Sequence, residues 1–187
     1  MADTKLTRVQ IALEGTNEGA MERLFLLEAV TPGYKHIYKP DENLRAMRLM
    51  RQMIENRLRS PTEYNARGAT NETDIVELGN QFAGFSNYPA LNAKMKANLD
   101  DILQAANNAR NPQRAAYVQF VTDAVTAATD VITPPTATFP NVTAWRTHGS
   151  GSPGPRFRTL ITLSGNTFFS TLPVPPHPGH RIRQHKH

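Results

Sequence analysis

Apolar and polar positions along the chain group into a few periodic blocks separated by turn-rich passages. The first block is Met21 to Ala29, where Met21, Leu24, Phe25, Leu26 and Leu27 form an apolar helical run. The spacing predicts a helix over about 20–30, with Asn17 as its cap and Glu18 and Glu22 well placed in its first turn. Pro32 and Gly33 end it, and 31–40 reads as a turn. Asp41 reads as the N-cap of a second helix over 42–59, in which Leu44, Met47, Met50, Ile54 and Leu58 keep the +3/+4 spacing of a buried stripe. Arg45, Arg48, Arg51 and Arg59 fall on its other faces and read as a solvated face.

Residues 60–90 are irregular, broken by Ser60-Pro61, Gly68, Gly79, Gly84 and Pro89, with a short helix or turn around Thr73–Leu78. A third helix is predicted over 91–109. A fourth begins at Pro112 and reaches 132, with Val118, Val121, Val125, Ala128 and Ile132 as its stripe, and Thr133-Pro134-Pro135-Thr136 stops it. Beyond the Gly149–Pro155 loop lies the best strand-like run, Phe157 to Leu163. Past Leu172 the prolines and basic residues lack the apolar content to build a core. The expected fold class is mainly α, an α+β single domain with minor strands. It divides into an arm (1–19), a domain (20–172) and a disordered or surface-draped Pro/His/basic tail (173–187).

Composition narrows the function classes. The 187 residues suffice for one domain with a substantial core, and no apolar run approaches a membrane span. The absence of cysteine removes disulfides, thiol catalysis and cysteine-held zinc. The net charge of +5 favours anionic partners, among them nucleic acid, membrane surfaces and bacterial cell wall, although Arg181, Arg183 and Lys186 place part of it in the tail. The first residues lack a continuous apolar segment, so no secretory signal is expected.

Several chemistries find no support. His177, His180, His185 and His187 lie in the tail, and His36 and His148 are isolated, so no metal site and no cofactor are expected. Phosphate-binding glycine loops, a nucleophile elbow and nucleic-acid reader motifs do not occur, and nucleic acid is not an expected partner.

Carboxylate chemistry has more behind it. Glu28 ends the first apolar run, where hydrocarbon neighbours would hold its proton to higher pH, as a general acid requires. The plainer reading is a polar residue on the exposed side of an amphipathic helix. Four segments weigh on the choice: Leu27-Glu28-Ala29, Ile54-Glu55-Asn56-Arg57-Leu58, Asn80-Gln81-Phe82-Ala83-Gly84-Phe85, and Trp145 followed by Ser164-Gly165-Asn166-Thr167-Phe168-Phe169. In this order they resemble the bacterial cell-wall hydrolases of the spore-cortex-lytic type, within the lysozyme-like group, over roughly 20–170. In that family an apolar helix ends in Glu-Ala, a second ends in Asn-Arg, a loop leads to Gln-Phe, and a tryptophan segment precedes a glycine-containing aromatic ending. The chain departs in a longer passage after Glu28, in 86–145, which matches only as helix, and in Thr167, where the family has histidine.

The resemblance implies a lysozyme-like domain and a peptidoglycan glycosidase with Glu28 as catalytic acid. The bond cleaved is that of an N-acetylglucosaminidase or a muramidase, with lytic transglycosylation as a further outcome. Gln81, Phe82 and Tyr34 would line the cleft with Tyr38, the amide on an N-acetyl group and the rings on sugar faces. Phe82 and Phe85 as core, with Gln81 capping a turn, is the plainer alternative. Glu42, Glu63, Glu72, Asp74 and Glu77 are the candidates for a second carboxylate, each also readable as a solvated charge. Trp145 reads as core or sugar platform. Arg57 reads as the partner of a carboxylate, and Asn56 as a helix-end cap. The implied biology is an antibacterial effector toxin, secreted without a signal peptide, acting in a target cell's periplasm and held in check by a cognate inhibitor protein that occludes the cleft. The alternative is a non-catalytic lysozyme-like module of a phage or secretion apparatus.

Overall fold

A computed structural model describes residues 8–62, 64, 66–78, 82, 84–130, 141–147 and 149–172. The apolar run forms helix α1 (Asn17–Glu28), capped by Thr16, whose Oγ1 accepts the Gly19 N–H at 3.0 Å. Thr16 takes this role because its backbone is extended while Asn17 is already helical. Asn17 instead accepts the Thr73 hydroxyl at 2.7 Å. Every residue from Gly19 to Leu26 is buried, so α1 is a central helix packed on all sides.

Burying Glu22 and Arg23 requires partners, and the arm supplies them. Ala12 donates its N–H to Glu22 at 2.5 Å, while the Arg23 guanidinium donates to the carbonyls of Ala12 and Gly19, each at 2.9 Å. Farther out, Val9 and the Asn107 amide exchange hydrogen bonds at 2.8 and 3.0 Å. Gly19 permits this docking: a Cβ there would lie 1.9 Å from the Leu13 carbonyl oxygen. The described part of the arm is thus built into the domain.

Helix α2 (Pro40–Arg59) starts two residues before the predicted 42, with proline in its first turn, where its missing N–H costs nothing. Met47, Met50 and Ile54 are fully buried, and Leu44 and Leu58 pack at the edge of the core. The arginine face is only partly solvated. Arg48 pairs with Asp130 at 2.5 Å, and Arg51 bridges Glu55 and Glu72 while donating to the Ala128 carbonyl. Helix α3 (Glu72–Glu77) occupies the predicted short element. Helix α4 (Ala93–Asn107) lies within the predicted 91–109, capped by Asn92, which accepts the Met95 N–H at 2.9 Å.

Helix α5 (Arg114–Thr129) packs on α1, α2 and α4. Phe120, Val121, Ala124, Ala127 and Ala128 are buried on it, and Ile132, the end of the predicted stripe, lies outside the described residues. Asp123 is buried too, accepting from the amides of Asn43 at 2.9 Å and Gln119 at 2.6 Å.

The C-terminal third adds a three-stranded antiparallel sheet of order β1-β3-β2: β1 (Ala144–Thr147), β2 (Phe157–Leu163) and β3 (Asn166–Thr171). The turn Ser164-Gly165 has φ of 42° and 75°, the doubly left-handed geometry of a tight two-residue hairpin. Its tip is clamped to the segment that follows Glu28. Lys39 donates its N–H to Ser164 Oγ at 3.1 Å, the Ser164 N–H donates to Glu42 at 2.8 Å, and a Cβ on Gly165 would meet Ile37 at 2.3 Å and Val30 at 2.8 Å.

The architecture is mainly α with a small sheet, in agreement with the expected fold class. Among the described residues no helix is long and apolar enough to cross a membrane. The predicted tail, 173–187, lies outside the described residues.

Candidate active site

Glu28 is the last residue of α1, and the chain turns to an extended conformation at Ala29, whose N–H still closes onto the Phe25 carbonyl at 2.9 Å. The neighbours that close the core, Leu24, Phe25 and Leu26, leave Glu28 half-buried at its rim. Burial pushes its carboxyl above the ordinary glutamate value. The helix C-terminus acts in the same direction, since its exposed carbonyls disfavour negative charge. One neighbour opposes these effects: the indole of Trp145 beside the carboxyl lowers it and partly restores its acidity.

Trp145, the chain's single tryptophan, sits on β1 and stacks on Phe82 with ring centroids 5.3 Å apart at 26°. Phe82 is 6% exposed, and the Arg57 guanidinium lies 5.9 Å from its ring centroid. Burial pulls the Arg57 guanidinium down to about 10. Arg57 donates to the Thr143 carbonyl at 3.3 Å, and its neighbour Asn56 donates to the Val142 carbonyl at 2.8 Å. Residues from α1, the end of α2, the loop at 82 and β1 therefore form one chain of contacts: Asn56-Arg57, Phe82, Trp145, Glu28. In this arrangement Trp145 and Phe82 are each other's stacking partners at the core's edge, and Trp145 remains half-buried.

The other sequence candidates are placed elsewhere or bonded otherwise. Tyr34 is 65% exposed in the turn after Glu28. Tyr38 packs edge-on against Phe120 at 6.1 Å, and burial pushes its phenol up to about 12. Glu42 anchors the hairpin tip, and the Ser164 N–H holds its carboxyl below the ordinary value. Glu72 pairs with Arg51 at 3.3 Å. Asp74 completes the capping box of α3, accepting from Thr70 and Asn71, which lowers its carboxyl. Glu77 is half-buried at the end of α3. Gln81 and Glu63 lie outside the described residues. Among the described residues no second carboxylate bears on the proton affinity of Glu28. None of their acidic and histidine side chains group to hold a metal ion.

Two features escape sequence reasoning. The approach of Trp145 to Glu28 joins distant segments, and its only signal is that a desolvated carboxyl needs a polar neighbour. Asn166 is fully buried with both amide atoms lacking a partner among the described residues, on the face of β3 it shares with Phe168. The register pairs Phe168 with Trp145, so the three side chains belong to one face of the sheet. Compared with family models, curated proteins and solved structures, the chain matches none of them.

Proposed function

We propose that this protein is a peptidoglycan glycoside hydrolase, an N-acetylglucosaminidase or muramidase, with Glu28 as its general acid. The observation that carries the reading is a half-buried carboxyl at the end of the central helix, its proton affinity raised by burial and partly lowered again by the Trp145 indole beside it. A protonated Glu28 would deliver its proton to the glycosidic oxygen as the C–O bond breaks and the sugar takes on oxocarbenium character. The carboxylate left behind gains from the Trp145 N–H more than the neutral acid does. That contact therefore favours the transition state over the ground state. Among the described residues no second carboxylate bears on Glu28, and with these residues alone the substrate's own N-acetyl oxygen is the group suited to stabilise the sugar cation.

The resemblance of the four ordered segments to the spore-cortex-lytic type of wall hydrolase supports the same reading, and the positive charge suits an anionic wall. It extends to an antibacterial effector delivered to a rival's periplasm and neutralised at home by an inhibitor protein seated over Glu28. Clearing of purified peptidoglycan, followed by mass spectrometry of released fragments, tests it. Reducing N-acetylglucosamine ends identify a glucosaminidase, reducing N-acetylmuramic ends a muramidase, and anhydro ends a transglycosylase. Glu28→Gln is expected to lose at least about 100-fold in rate. Equal clearing by variant and wild type removes Glu28 as the acid, and no clearing by either leaves the non-catalytic module.

A further inference from the structure

We infer that Arg57, together with Asn56, is a positioning residue that fixes the lead-in to β1 and braces Phe82, so that the Trp145 indole is held beside Glu28. Its catalytic consequence rests on the reading of Glu28 as an acid, whereas its structural content does not.

Two consecutive side chains in the last turn of α2 take two consecutive carbonyls of the segment leading into β1: Asn56 takes Val142 and Arg57 takes Thr143. Such a double attachment sets both the position and the rotation of the strand, because sliding by one residue would break both bonds and turn Trp145 to the opposite face. Asn56 is itself oriented, since the buried Gln52 one turn earlier donates to its side-chain oxygen at 2.9 Å. On the sheet side, Thr143 donates its N–H to the Phe169 carbonyl at 2.8 Å, so the Val142–Thr143 peptide group, whose carbonyl Asn56 takes, is fixed from two directions.

The second half of the device is the stack. The Arg57 guanidinium lies over the Phe82 ring, and Phe82 lies against Trp145. Only a planar guanidinium can donate to a carbonyl from its edge and cover an aromatic ring with its face; a lysine ammonium can do the first but is a poor substitute for the second. A purely structural Arg57 would affect stability and leave the environment of Glu28 unchanged. A positioning Arg57 would change how tightly Glu28 holds its proton.

The single tryptophan makes this directly measurable, because a protonated carboxyl against an indole quenches its emission. Trp145 fluorescence of the full chain, followed against pH, is expected to show a step above the ordinary glutamate value that disappears in Glu28→Gln. In Arg57→Lys, with circular dichroism unchanged, the midpoint is expected to rise, because Glu28 stays buried while losing the acidifying influence of Trp145. Phe82→Leu, which leaves the carbonyl bonds in place, is expected to move it the same way. It also serves as the deciding variant if Arg57→Lys does not fold. An unchanged midpoint, or one that falls toward the ordinary value as water enters a loosened site, overturns the inference, as does a step that survives in Glu28→Gln. A step that responds to Arg57 in a protein that never cleaves the wall retires the glycosidase reading alone. Wall cleavage with an Arg57-independent midpoint retires this inference alone.

Discussion

The indole of Trp145 lies beside the carboxyl of Glu28 and lowers it against the effect of burial, joining an edge strand of the C-terminal sheet to the end of the first helix. This pairing carries the chemical asymmetry of the site. Burial alone would make Glu28 a carboxyl reluctant to release its proton; one directed donor gives the released form somewhere to place its charge.

Removing that donor while keeping the ring isolates its contribution. Trp145→Phe preserves apolar contact with Phe82 but deletes the N–H. Glu28 then loses the interaction that lowers its carboxyl, and the proton is held to still higher pH. The alkaline limb of a cleavage–pH profile should therefore move upward. The maximal rate should drop by about tenfold, the equivalent of one hydrogen bond to a charged group. Initial rates of wall clearing across pH measure both effects.

A site built around a reluctant carboxyl lowers the stability of the fold that holds it. The folded-state value of Glu28 is raised above its unfolded one, so the folded chain binds the proton more tightly. Its contribution is favourable below the unfolded value and is lost as pH rises through the folded value. Glu28→Gln, which mimics the protonated form, should raise the melting temperature at neutral pH. Below about pH 4 the two proteins should melt together. Thermal denaturation at the two pH values provides the check, and a lower neutral-pH melting temperature in the variant would contradict it.

The hairpin clamp makes a separate claim about stability. Gly165 combines φ of 75° with van der Waals neighbours on the segment after Glu28: a Cβ would lie 2.3 Å from Ile37 Cγ2 and 2.8 Å from Val30 Cγ2. Gly165→Ala should therefore cost about 2–4 kcal/mol, from left-handed strain and displacement of Val30 together. Urea unfolding would register it as a lower midpoint at an unchanged slope. An alanine variant as stable as wild type would mean that the hairpin tip does not rest on that segment.

Much of this was legible beforehand, for identifiable reasons. The stripe Met47, Met50 and Ile54 is buried as its spacing predicts, since helical periodicity is a local property. The strand Phe157–Leu163 falls within its predicted bounds because a Gly/Pro/Ser loop precedes an apolar, threonine-rich run of strand-forming residues. Other elements resisted. β1 is four residues long and exists by pairing with β3, a partner that local pattern does not reveal. The arm reads as separate because Gly15 and Gly19 look like breaks, yet Gly19 is the place where the arm crosses α1 closely enough to exclude a Cβ. Arg51 reads as part of a solvated face, but the approach of α3 and α5 turns it into a bridge.

The candidate acidic residues show the same division. Glu42, Glu72 and Asp74 were equivalent in the sequence, and each proves to have structural partners: the hairpin N–H, Arg51, and the first turn of α3. Nothing in a linear pattern of charges distinguishes them, because their roles are set by neighbours remote in the chain or by caps that form only once the loop has its shape.

By itself, then, the sequence determined the helices, their buried faces, one strand, and the presence of a carboxylate at the end of an apolar helix. These follow from short-range periodicity and from breakers, both written locally. Tertiary structure decided that Trp145 meets Glu28, that Phe82 and Arg57 stand behind Trp145, and that the hairpin tip closes on Glu42. Each of those contacts depends on the sheet folding back onto the helices. Directional hydrogen bonds and ring stacking have no signature in the chain until distant segments are brought within a few ångströms of one another.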